Sequence, residues 1–175
     1  LWSLSGSSEE LSMASEMKYV SRSQVENWIA RRDRALMQSG YSKAKAEKFL
    51  QIRRTIIKAL HDREQGLLAG TDPPQVFIVP GFSLHQEMES FIRAGLTTYE
   101  AMQTATVNPA KFFDRQGEFG EISEGASADL VLLADNPLTK LENYGSIQGV
   151  MYQGKWLSKE MIDAGLRRIE NKYKE

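Results

Sequence analysis

The 175-residue sequence has no cysteine, which excludes a disulfide framework, a thiolate nucleophile and a Cys-ligated zinc site. Histidine is scarce: only His61 and His85 occur, with no His-x-His pair and no HExxH motif. Any metal would therefore rest on His and carboxylate ligands. No run approaches the roughly 18 consecutive apolar residues of a membrane span. A cationic excess is also missing. The formal net charge of -1 argues against a general attraction to nucleic acid or to an anionic membrane. Local basic clusters such as Arg31, Arg32 and Arg34 fall in helical segments and read as solvated faces. A Gly-rich phosphate loop and a Gly-x-Ser-x-Gly elbow are absent too.

What remains is the balance of a folded protein, 41% hydrophobic and 26% charged, enough for one good core in one or two domains. The opening "LWSLSGSSEE" carries no initiating Met, basic n-region or cleavage-type site. The expectation is a soluble piece that begins inside something longer, with its compartment left open.

Helix signals dominate the first part. Ser7 with Glu10 has capping-box spacing, and Ser23 with Glu26 repeats it before the stripe Val25, Trp28, Ile29, Arg32 and Leu36. Trp28 is thus expected in a core. Residues 42 to 61 form a second amphipathic helix through Phe49, Ile52, Ile56, Ile57 and Leu60, with a charged outer face. Ser83 with Gln86 and Thr97 with Glu100 open two more, the first ending at Gly95 and the second stopped by Asn108 and Pro109. From Gln116 the chain turns glycine-rich and then β-like. Leu130 to Leu133 reads as a buried strand, and "IQGVMYQGKWL" as a hairpin turning at Gly154. Met161, Ile162, Leu166, Ile169 and Tyr173 mark a closing helix.

Between these parts lies "GLLAGTDPPQ". Leu67, Leu68 and Ala69 read as a buried strand that leaves Asp72 at its carboxyl end, where α/β folds collect their chemistry. Asp72 before two prolines is also an ordinary turn opener. The sharper reading is a carboxylate that binds a metal ion or moves a proton, with Gly70 and Thr71 admitting a ligand. His85, after the loop, is a candidate substrate contact, as is Thr71. His61 reads as a helix-terminal imidazole.

Four stretches taken together resemble the C-terminal part of the metal-dependent amidohydrolase superfamily, in its imidazolonepropionase-like and prolidase-like branch. They are "KALHDREQGLLAGTDPP", "PGFSLHQEMESFIRAGLTTYEAMQTATVNPAKFF", "GEFGEISEGASADLVLLADNPL" and "IQGVMYQGKWL", in matching order over residues 50 to 157. The resemblance implies an α/β fold: a C-terminal fragment of a (β/α)₈ TIM barrel plus part of a small β-sandwich domain. Residues 66 to 72 would be the eighth strand, and Leu1 to Leu4 the remnant of the seventh. Asp72 would touch the metal site and take the proton from the attacking water. Residues 1–115 would be barrel, 116–157 part of the sandwich and 158–175 a terminal helix.

The departures matter equally. The family's His-x-His pair, its lysine or glutamate on the fourth strand and its histidines on the fifth and sixth cannot be placed here. A full barrel needs roughly 250 residues. The expectation is a fragment of a hydrolase acting on carbon–nitrogen bonds in amides, cyclic amides or dipeptide-like substrates, inactive alone. The complete enzyme would hold a divalent metal, zinc by resemblance, that this chain does not hold tightly by itself. Self-association or the missing part of the barrel would cover its open edges. A non-catalytic binding or structural module is the alternative.

Overall fold

The computed structural model describes residues 6–38, 40 and 42–174. The expected strand remnant at Leu1 to Leu4 lies outside them. Helix α1 (Ser8–Ser12) is closed by a complete Ser7/Glu10 capping box, as its sequence spacing predicts. A 3₁₀ helix (Ser15–Tyr19) leads to α2 (Arg22–Gln38). Here the expected cap shifts. Arg22 is already helical, so Ser23 sits inside the first turn and Ser21 Oγ accepts the Gln24 N–H at 3.3 Å. Helix α3 (Lys43–His61) is capped by Ser42 and ends at His61, whose Nε2 lies 3.2 Å from Glu100 Oε1.

After the loop come α4 (Ser83–Arg93), α5 (Thr98–Ala105) and α6 (Val107–Phe112). The Thr97/Glu100 capping box starts α5. Asn108 and Pro109 do not stop a helix as expected. The break comes at Thr106 (φ -127°, ψ -89°), and Pro109 enters the first turn of α6, where a missing N–H costs no helical hydrogen bond. Ser83 likewise is not a cap: Phe82 holds that position without a side-chain bond, and the Ser83 hydroxyl is used elsewhere.

Strands β1 (Leu130–Leu133), β2 (Ile147–Tyr152) and β3 (Lys155–Ser158) form one antiparallel sheet in the order β1-β2-β3. The β2–β3 hairpin turns through Gln153 (φ 49°) and Gly154 (φ 76°), the left-handed pair that a tight two-residue turn requires. Gly149 is needed for a different reason: a Cβ there would meet the Trp156 ring at 2.1 Å. Helix α7 (Lys159–Lys172), capped by Ser158, closes the chain. It is tied back to the 3₁₀ helix by Lys18 and Glu170 at 3.7 Å.

Two cores result. Leu11, Met17, Trp28, Phe77 and Val79 form the first. Met88, Phe91, Leu96, Ala101 and Tyr144 form the second, with Leu67, Ala69 and Leu133 packed against it. Trp28 is buried, as its stripe predicts.

Three expectations about burial fail for one reason: the partner surface is absent among the described residues. Strand β1 forms but is not buried, with Val131 58% and Leu132 55% exposed on an edge strand. On α3, Ile57 reaches the second core while Phe49, Ile52, Ile56 and Leu60 stay exposed. Residues 65–72 run without a strand ladder. A parallel strand needs neighbours, and no parallel strand pairing and no closed barrel occur among the described residues. The fold is mixed α/β with a small three-stranded sheet.

Candidate active site

The segment 66–72 is held from one side by the helices that follow it. Asn108 Nδ2 donates to the Leu67 carbonyl at 2.9 Å, and the Ala69 N–H donates to the Thr104 carbonyl at 2.9 Å. The Gly70 N–H donates to Glu87 Oε2 at 3.0 Å, and the Thr71 and Ser83 hydroxyls share a hydrogen bond at 2.9 Å. The contacts at Leu67, Ala69 and Gly70 answer backbone groups that a sheet ladder would otherwise satisfy. Leu67 and Ala69 face the second core. Asp72 then stands exposed at the end of the segment.

Asp72 adopts φ 51°, the left-handed region that Asp tolerates better than most residues. Its Oδ2 accepts a hydrogen bond from Gln75 Nε2 at 2.6 Å, so the carboxylate is oriented by its own loop. Five residues on, Phe77 also has positive φ (58°), an uncommon state for a bulky side chain. Burial holds it there. Phe77 is 0% exposed and meets the Trp28 ring edge-on at 5.7 Å, so the first core pins the loop that carries Asp72.

The other expected site residues separate. Thr71 is half-buried against α4 through Ser83. His85 is half-buried beside Tyr144, ring centroids 6.4 Å apart, and no hydrogen bond joins it to Asp72. Burial lowers its pKa below 6.5, favouring the neutral imidazole.

A small cavity of about 130 Å³ lies beside the segment, where Glu87, Gln86 and the Thr71–Ser83 hydroxyl pair meet the apolar Ile78. Glu87 is half-buried there. Burial pushes its carboxyl above 4.5, opposed by the Gly70 N–H. Sequence reasoning missed Glu87. The signal available was its place on the inward stripe of α4, at i, i+4, i+8 with Ser83 and Phe91, where an acid interrupts an otherwise buried face.

The sequence profile of the Amidohydrolase family matches residues 11–157, most of the chain. The chain belongs to this family. Among solved structures, this family member is similar to "AH, Bottromycin amidohydrolase", at 22% identity and TM-score 0.76, over 98% of this chain and 38% of that one. It is also similar to a Xaa-Pro dipeptidase with methionine bound in its active site, at 20% identity and TM-score 0.51, over 60% of this chain and 25% of that one. At such identities the likeness is one of fold. This amidohydrolase chain thus spans well under half of either structure. No match was found among curated proteins.

The metal that the family implies does not find a complete site here. Structural and catalytic zinc sites take three or four protein ligands. Among the described residues no group of three or more His, Cys, Asp or Glu side chains is placed to hold an ion. Asp72 offers one carboxylate, already engaged by Gln75.

Proposed function

We propose that this chain is the C-terminal part of a metal-dependent hydrolase that cleaves carbon–nitrogen bonds of amide, cyclic amide or dipeptide-like type. In this reading residues 66–72 are the eighth strand of a (β/α)₈ barrel, and Asp72 stands at the end where such barrels place their catalytic groups. The sheet β1–β3 is one part of a small sandwich. The observation that supports the reading best is the segment itself: an extended run hung from α4, α5 and α6 on one side, without a ladder partner, that ends in an exposed, oriented carboxylate.

Asp72 acts as the proton carrier. It accepts a proton from the water whose oxygen forms the new bond to the amide carbon, and returns that proton to the nitrogen as the carbon–nitrogen bond breaks. Thr71 is a candidate substrate contact beside it. His85 keeps that role only if substrate reaches the Tyr144 side of α4. The family is metal-dependent, and zinc is our proposal for the ion. Its remaining ligands would come from outside these 175 residues. The missing ligands equally favour a second reading, a binding or structural module in which Asp72 is a turn residue.

Hydrolysis of Xaa-Pro dipeptides and cyclic amides by the full encoded protein, beside its Asp72→Asn variant, separates the two. Loss of a general acid–base group predicts a fall in kcat of about 100-fold or more. An Asp72→Asn protein as active as its parent refutes the role of Asp72. The 175-residue chain alone is expected to show neither turnover nor stoichiometric metal by plasma mass spectrometry.

A further inference from the structure

We infer that Glu87 is a positioning residue for the acidic end of the 66–72 segment. Its carboxylate accepts the Gly70 N–H and, with the Thr71–Ser83 hydroxyl pair, fixes the segment against α4 two residues before Asp72.

The argument begins with donors. An extended segment without a ladder must find other acceptors for its N–H groups. Ala69 uses the Thr104 carbonyl, on α5. Successive N–H groups of an extended chain point in opposite directions, so Gly70 cannot share that acceptor. Glu87 answers from α4, and among the described residues this is the one hydrogen bond its carboxylate makes. The Gly70 amide is the hydrogen-bond donor that the described residues offer this half-buried carboxylate. A half-buried carboxylate gains from such a donor, because burial disfavours its charged form. Helix α4 is itself anchored at the neighbouring position, where Gln86 Nε2 donates to the buried Glu16 at 2.5 Å. Glu87 therefore transmits the placement of α4 to the chain that ends in Asp72. A Cβ at Gly70 would meet nothing within 4 Å, so the site is built around the Gly70 amide and not around the lack of a side chain.

The effect on turnover rests on the reading of Asp72 given above, whereas the effect on the Gly70 amide does not. The test uses the full encoded protein with Glu87→Leu, which removes the acceptor, and Glu87→Gln, whose amide oxygen keeps one. Hydrogen exchange resolved at Gly70 is expected to be protected in the parent, to speed at least tenfold in Glu87→Leu, and to return within threefold of the parent in Glu87→Gln. In parallel kcat is expected to fall tenfold or more in Glu87→Leu with KM changed less than twofold, and to recover in Glu87→Gln. An unprotected Gly70 amide in the parent overturns the contact, even if neither variant folds. Equal exchange in all three proteins overturns it too, as does a Glu87→Gln protein no better than Glu87→Leu. If exchange behaves as expected but Asp72→Asn leaves activity unchanged, the positioning role stands and the assignment of Asp72 falls.

Discussion

Asp72 and His85 show how differently two polar residues of one region can be placed. Asp72 is exposed, left-handed and held by Gln75, on a loop anchored by the buried Phe77. His85 lies on the first turns of α4 with its ring toward Tyr144, which itself donates to the Thr98 carbonyl at 3.1 Å. Burial lowers the His85 pKa, so between the folded pKa and 6.5 the unfolded chain binds the extra proton. Stability from the neutral imidazole is complete above 6.5 and is lost as pH falls through that value toward the folded pKa. His85→Gln should flatten this part of the pH dependence, read as Tm against pH. An unchanged profile would show that His85 is not held neutral by burial. At this scale the sequence makes Asp72 legible because acid, prolines and apolar run adjoin. Glu87 stays hidden, because its partner Gly70 is 17 positions away.

At the level of elements, local chemistry decides most boundaries. The Thr97/Glu100 box satisfies the first amides of α5: Thr97 Oγ1 accepts the Glu100 N–H at 3.2 Å, and Glu100 Oε2 accepts the Thr97 N–H at 2.7 Å. Thr97→Ala should cost about 1 kcal/mol in denaturant unfolding, without altering the fold. A loss indistinguishable from zero would mean that packing of Ala101 and Leu96 alone sets this helix. The caps at Ser7, Ser42 and Ser158 follow the same rule, as does the Gln153–Gly154 turn. Where local chemistry offers two choices, the fold selects. Ser21 rather than Ser23 caps α2, and Pro109 begins α6 rather than ending α5. No described helix is long and apolar enough to cross a membrane.

The whole molecule is marked by apolar surface without cover. Phe49, Ile52 and Ile56 on α3 are 43%, 48% and 52% exposed, on a helix whose Ile57 already packs on the second core. Large exposed apolar patches mark contact surfaces in soluble proteins. We propose that the rest of the barrel covers it in the complete protein, and that the isolated 175-residue chain covers it by self-association. Sedimentation should show a species larger than the monomer, and Ile52→Lys with Ile56→Lys should shift it toward the monomer. A stable monomer before any substitution would count against the proposal.

By itself the sequence determined most of the helices, the capping boxes at Ser7 and Thr97, the hairpin and the acid at the end of an apolar run, and its stretches pointed to the family. Those features depend on residues within about four positions of one another, where spacing carries the physics. Only the tertiary structure decided that Leu67 is held by Asn108, that Gly70 is held by Glu87, that His85 faces Tyr144, and that β1 and one face of α3 are left open. Burial and hydrogen-bond partnership are settled by groups far apart in the chain, and periodicity names a buried face without naming what buries it.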